Sequence, residues 1–175
     1  MRGAKLKAYG VGFPLLGQTE EAFWKLPGKE RMLLVAAYLC DVVQIREQGW
    51  NRGKWVERCL RAVGLGPGYA WCAAFVALCA DLAECSIGPK SGRGRVANWA
   101  KWAKEDNRIG FKPQRGDLMY WLNKDGTGHI GVVSDSHDFF VETVEGNTNA
   151  EGSREGDGAY RKTRQVTPKI HFIRL

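Results

Sequence analysis

Cys72 stands directly after a tryptophan in the stretch 69-YAWCAAFVALCADL-82, where an apolar helix is predicted to begin. A thiol is a nucleophile only as the thiolate, and the unpaired N–H groups of a helix N-terminus favour a negative charge there. A neighbouring histidine favours the thiolate further because it accepts the proton. These residue types therefore indicate a cysteine nucleophile, provided that the fold supplies a histidine.

His129 is the best placed of the three histidines, because it follows the turn KDGTG and opens the β-prone run HIGVV. Glu145 and Asn147 lie at the end of the next β-prone run, and alternate residues of an extended segment share a face. Either side chain can accept the ring N–H of His129 and leave the other nitrogen for the thiol. His137 and His171 are interpreted as surface or core residues without chemistry.

The elements that must position these residues follow from periodicity. Apolar residues recur at helical spacing in four segments, 30–48, 52–63, 71–84 and 95–104. The third segment is apolar nearly all round and is expected to be the buried central helix. After Pro113, five strands are predicted, at 117–122, 129–134, 139–145, 159–166 and 170–175. Helices followed by an antiparallel sheet predict an α+β domain.

The composition is that of a soluble globular protein, with 175 residues, 44% apolar and 26% charged. No run approaches the roughly 18 apolar residues of a membrane helix, and the N-terminal segment does not have the pattern of a secretory signal. The five cysteines are an odd number and include no CxxC pair, which argues against a disulfide framework and against a structural zinc site. The four besides Cys72 are predicted to pack in the core, namely Cys40, Cys59, Cys79 and Cys85.

The formal charge of +7 is concentrated in one region. Eight Lys or Arg residues lie between Ser86 and Arg115, against Glu105 and Asp106, which leaves 18 basic and 17 acidic residues elsewhere. Residues 90–115, here named the basic segment, are expected either to attract a polyanion or to form a solvated basic face without a partner.

The residues around these candidates resemble the cysteine, histidine-dependent amidohydrolase/peptidase (CHAP) family, within the NlpC-like, papain-fold cell-wall hydrolases. The resemblance extends over roughly residues 44–166. Four motifs carry it, in the family's order: WCAAFV around Cys72, RGDLMYW (115–121), GHIGVV (128–133) and VEGNTN (144–149). It implies a papain-like α+β fold in one domain, residues 1–175, with a helical N-terminal extension (1–43) before a catalytic core (44–175).

The resemblance also implies residue roles. Cys72 would be the nucleophile, and His129 would be the general base and then the general acid. Glu145 would orient His129, with Asn147 assisting or sharing that task. For the substrate, Tyr69 would help the Cys72 N–H to hold the oxyanion, whereas Trp71 would either line the groove or cap the core. Asp117, in the family's GD motif, is expected to be structural.

Peptidoglycan is the substrate that the resemblance implies, cleaved at an amide bond through an acyl-enzyme. The basic segment would help to hold anionic envelope polymers. No cofactor and no metal are expected, since GLGPGYAW before the nucleophile lacks the carboxylates with which some members bind calcium. We expect a monomer without nucleic acid, made in the cytoplasm and acting on the envelope after release by lysis, a phage particle or a non-Sec route.

Two other classes of function fit the same sequence. One is a non-catalytic binder of nucleic acid or of an envelope polyanion, favoured by the basic segment, although no nucleic-acid-reading motif is present. The other is a structural component that keeps the fold without turnover. Within enzymes, acyl transfer to an amine or hydrolysis of another amide would use the same thiol and imidazole.

Overall fold

The computed structural model describes residues 3–153 and 155–175 of the chain. Within them the α-helices are Ala4–Ala8 (α1), Glu20–Lys25 (α2), Gly28–Asp41 (α3), Lys54–Ala62 (α4), Cys72–Leu82 (α5) and Val96–Glu105 (α6), with a 3₁₀ turn at Phe13–Leu16. The strands are Ile109–Gly110 (β1), Leu118–Leu122 (β2), Gly128–Ser136 (β3), Phe140–Thr148 (β4), Gly158–Gln165 (β5) and His171–Ile173 (β6).

The strands form one sheet in the order β1-β6-β2-β3-β4-β5, with antiparallel neighbours. The predicted α+β, papain-like arrangement of helices on an antiparallel sheet is confirmed. The described sheet has six strands rather than about five, because the two-residue β1 pairs with β6 in a segment for which no element was predicted. None of the described helices is long and apolar enough to cross a membrane.

Helix α5 is the centre of the core, as its all-round apolar sequence predicts. Every residue in it except Asp81 is buried, and it packs against α3 and α4 on one side and against β3 and β4 on the other. At Gly146 the contact with β4 is so close that a Cβ would lie 2.7 Å from the Phe75 Cβ and from the Trp71 ring. A side chain at this position would push the strand away from the start of α5, so the glycine sets their separation.

Helix α3 ends at Asp41, so the prediction of a helix over 30–48 is wrong for residues 42–48. Tertiary pairing overrides the helical pattern there. Gln44 has a left-handed backbone (φ 51°), Arg46 pairs with Gly158, and the Ala159 N–H donates to the Ile45 carbonyl at 3.0 Å. The other three predicted helices lie within two residues of their expected bounds. The division of the chain at residue 43 stays a prediction.

Candidate active site

Cys72 is the first residue of α5, and its side chain is 5% exposed. The preceding Trp71 has a non-helical backbone (φ −123°), so the N–H groups of the first helical turn have no partner within the helix. The Trp71 N–H is occupied, because it donates to Asn147 Oδ1 at 2.8 Å. The sequence thus places the thiol at the N-terminal end of the buried helix, as expected.

His129 lies in β3 and is fully buried, with its imidazole between Cys72 and Glu145. Nε2–H donates to Glu145 Oε2 at 2.8 Å. Nδ1 forms no hydrogen bond with the described residues, and the Cys72 side chain is near enough to influence the ionisation of the ring. The structure therefore brings together the thiol, the imidazole and the carboxylate that the sequence predicts.

The ionisation of His129 is shifted by these neighbours. Burial by itself lowers the pKa of His129, but the interactions of the ring with Cys72 and Glu145 outweigh burial and raise the pKa to about 9. The imidazole is therefore held in its charged form at neutral pH, where it can stabilise a thiolate and supply a proton to a leaving amine.

Glu145 is buried and accepts hydrogen bonds at both oxygens. Oε1 accepts from Thr143 Oγ1 at 2.6 Å and from Arg164 Nε at 2.9 Å, whereas Oε2 accepts from Arg164 Nη2 at 2.5 Å as well as from His129. Burial raises the pKa of Glu145, but Arg164 and His129 outweigh it and lower the pKa to about 2. The carboxylate is therefore ionised wherever the protein is folded near neutral pH.

Sequence reasoning missed Arg164, Thr143 and Trp121 around this carboxylate. The Trp121 ring lies 4.8 Å from the His129 ring between centroids, and Arg164 Cζ lies 5.2 Å from the centroid of the indole. Arg164 falls in a strand that the sequence predicts, but its partner depends on β5 pairing with β4, and that order is not visible in the sequence. The basic run YRKTR was the available signal.

Asn147 lies next to the site without contacting His129, which corrects the expectation that it shares the orienting role. The pairing of β4 with β5 is irregular between Glu145 and Thr148, and Asn147 has a left-handed backbone (φ 58°), so strict strand alternation fails there. Its Oδ1 holds the Trp71 N–H instead. Asn147 therefore fixes the peptide that precedes Cys72.

Trp71 does not line a groove. Its side chain is fully buried, its Nε1–H donates to Glu47 Oε1 at 2.8 Å, and its ring meets Phe75 edge-on. Of the two expectations for Trp71, substrate contact is wrong and the core position is correct. Tyr69, in contrast, is 58% exposed and stands beside the thiol.

A cleft of about 440 Å³ opens above Cys72, a size suited to a small ligand or part of a polymer. One wall comes from the segment before α5 and the other from the start of α6 together with the β2–β3 turn. The residues that line it are Leu65, Tyr69, Ala70, Cys72, Gly94, Arg95, Val96 and Asp125 to Gly128.

The remaining candidates lie away from the cleft. Burial raises the pKa of the Cys59 thiol to about 12, and Cys79 is equally buried, which makes these thiols poor nucleophiles. His137 stacks on Phe140, at the far end of β3. Asp117 is buried and accepts hydrogen bonds from the backbone N–H groups of 114 and 175, in keeping with a structural role. In residues 3–153 and 155–175, no three His, Cys, Asp or Glu residues are grouped to hold a metal ion.

Residues 64–147 match the family model of the CHAP domain. The chain therefore carries a CHAP domain, and the resemblance inferred from the four motifs is confirmed. The matched segment runs from the turn before α5 to the end of β4 and contains the thiol, the imidazole and Glu145, whereas Arg164 lies outside it. No curated protein matches the chain. A CHAP domain points, in general terms, to hydrolysis of peptidoglycan.

We expect Asn147→Gly to lower the free energy of unfolding by about 1–3 kcal/mol, because the buried Trp71 N–H loses its acceptor. Glycine accepts the left-handed backbone, so the effect reports the lost hydrogen bond. Asn107→Gly is the matched control: Asn107 is exposed and also left-handed (φ 55°). Urea denaturation measures both, and equal effects would contradict the assignment.

We expect Cys72→Ala to lower the pKa of His129 from about 9, because the interaction with Cys72, which contributes most to raising this pKa, is removed. A pKa raised above 6.5 in the folded state stabilises the fold below pH 6.5, and this contribution disappears as the pH rises to about 9. NMR titration of the His129 ring measures the change. Cys85→Ala is the control, and an unchanged titration in Cys72→Ala would contradict the contact.

Proposed function

We propose that this chain is a peptidoglycan amide hydrolase, an amidase or endopeptidase, which acts through a Cys72 thiolate and an acyl-enzyme intermediate. The observation that supports it is the grouping of Cys72, His129 and Glu145, in which Glu145 holds the imidazole by a hydrogen bond and Cys72 lines an open cleft. Catalysis by an adjacent thiol and imidazole fits cleavage of an amide, which needs both a nucleophile and a proton for the leaving amine.

In the first half of the reaction the Cys72 sulfur attacks the amide carbon and forms a C–S bond. His129 holds the proton on Nδ1 and transfers it to the amide nitrogen as the C–N bond breaks, so the amine leaves neutral. In the second half, water attacks the thioester while His129 accepts its proton, and the restored thiolate leaves. Glu145 stays ionised throughout and keeps Nε2 protonated.

The negative charge that develops on the carbonyl oxygen requires a hydrogen-bond donor beside Cys72. The Cys72 N–H is available for this, because it belongs to the unpaired first turn of α5. The Trp71 N–H is bound to Asn147 and cannot contribute. Tyr69, exposed at the cleft, is proposed as a second donor.

Digestion of purified peptidoglycan tests the proposal. Wild-type protein is expected to produce new amine and carboxyl ends, and Cys72→Ala is expected to lose about 10⁴-fold or more of this activity. Cys85→Ala serves as the control, because Cys85 is half-buried and lies outside the cleft that contains Cys72. Mass spectrometry of the fragments identifies the bond. Full digestion by Cys72→Ala would exclude this chemistry and favour a binding protein.

The basic segment is less free to bind polyanions than its composition indicates, because four of its eight cations form ion pairs. Those pairs are Arg93–Asp81, Lys101–Glu105, Arg108–Asp106 and Arg115–Glu30. The other four form no ion pair within residues 3–153 and 155–175. Of these, Arg95 lines the cleft that contains Cys72, so we propose it as the contact for an anionic group of the wall polymer near the scissile bond.

Arg95→Gln is expected to raise KM for peptidoglycan fragments by about threefold to tenfold with little change in kcat, since it removes a binding charge and leaves the reacting groups in place. Lys104→Gln is the matched control, because Lys104 is an exposed cation of the same helix region outside the cleft. Steady-state kinetics on soluble fragments measure KM and kcat for both variants. Equal effects of Arg95→Gln and Lys104→Gln on KM would contradict the assignment.

We further propose that the protein acts on the envelope after release from the cytoplasm, by lysis, with a phage particle or by a non-Sec route. This proposal is supported by the proposed substrate, since peptidoglycan lies outside the cell membrane. A monomeric state remains a prediction.

A further inference from the structure

Arg164 is held rigidly against the far side of the Glu145 carboxylate. Its side chain is 16% exposed, and its Nε and Nη2 meet the two oxygens at 2.9 and 2.5 Å. A third donor, Nη1, is bound to the Gly152 carbonyl at 2.9 Å. A guanidinium fixed at three of its nitrogens has one orientation, so it presents a two-pronged contact to the carboxylate.

The charges of the site balance only when Arg164 is counted. The charges of Glu145 and Arg164 cancel. The pair formed by Cys72 and His129 has no net charge in either of its two forms, thiol with neutral imidazole or thiolate with imidazolium. The thiol proton can therefore move to His129 without leaving a net charge in a buried site, where an uncompensated charge is strongly unfavourable. Without the guanidinium, the same site would hold one excess negative charge.

The shared oxygen of Glu145 also limits what the carboxylate can do. Oε2 accepts from both His129 Nε2 and Arg164 Nη2, so its affinity for a proton is low. The imidazolium keeps Nε2–H rather than passing it to Glu145. Nδ1 is then the nitrogen that exchanges a proton with the thiol.

We propose that Arg164 is a positioning residue that keeps Glu145 ionised and aligned, and that it thereby sets the pH range over which the Cys72 thiol is reactive. Its catalytic consequence rests on the proposed function, but the effect on the thiol does not. The titratable groups that face Glu145 are His129 from β3 and Arg164 from β5, and those that face His129 are Cys72 from α5 and Glu145 from β4. The indole of Trp121 lies near both cationic side chains.

Alkylation of Cys72 by iodoacetamide, followed from pH 4 to 10 and located by peptide mass mapping, tests this. Arg164→Gln is expected to move the midpoint of the profile to higher pH by about one pH unit or more, because removing a cation disfavours every anion of the site. Arg164→Lys keeps the charge, so the midpoint is expected to stay near the wild-type value. Lysine cannot reproduce the two hydrogen bonds of the guanidinium to the Glu145 carboxylate, so Glu145 is less well aligned. The maximal rate of Cys72 alkylation is therefore expected to fall several-fold.

Arg161→Gln is the matched control, because Arg161 lies in the same strand and pairs with Asp41, remote from Cys72. Its profile should equal that of the wild type. An unmoved midpoint in folded Arg164→Gln overturns the proposal. Should that variant not fold by circular dichroism, Arg164→Lys decides, and a maximal rate equal to wild type overturns it. Alkylation needs no wall substrate. Absence of peptidoglycan digestion would therefore contradict the proposed function, whereas an unmoved alkylation midpoint would contradict the role of Arg164.

Discussion

Glu145 is a carboxylate buried away from water whose two oxygens are shared between an imidazole and a guanidinium. Burying an ionised carboxylate is unfavourable unless it is paired and fully hydrogen-bonded, and here Thr143, His129 and Arg164 satisfy it. Three adjacent strands of the sheet, β3, β4 and β5, contribute these groups. The sheet therefore determines where the imidazole points, and α5 needs only to present the thiol to it.

The closeness of α5 to β4 is the second constraint. A bare backbone at Gly146 lets the strand touch the Trp71 and Phe75 side chains. On either side of it, Glu145 binds the imidazole of His129 and Asn147 binds the peptide before Cys72. The two polar residues that flank Gly146 thus hold different parts of the site. One acts on the imidazole and the other on the start of the helix.

The sequence was sufficient to predict the helix-then-sheet order and to predict that Cys72, His129 and Glu145 lie together, because each lies in a local pattern with a clear secondary structure. Predictions failed where long-range contacts decide the outcome. Helix α3 stops early because the chain after Asp41 pairs with β5. Asn147 departs from its expected task because a strand irregularity redirects it. The contact of Arg164 with Glu145 could not be predicted, because it depends on β5 pairing with β4, and no single segment of the sequence determines the order of strands in the sheet.

Cys72 is almost covered, with 5% of the residue exposed in a cleft that Tyr69 and the β2–β3 turn also line. The reactive carbon of an electrophilic inhibitor must therefore be carried on a narrow, unbranched group. Bulky substituents next to that carbon would contact the edge of the cleft before it reached the sulfur. The charged imidazole behind the sulfur favours reagents whose leaving group accepts a proton on departure. Shape, more than intrinsic reactivity, would then separate this cysteine from the solvent-accessible thiols of other proteins.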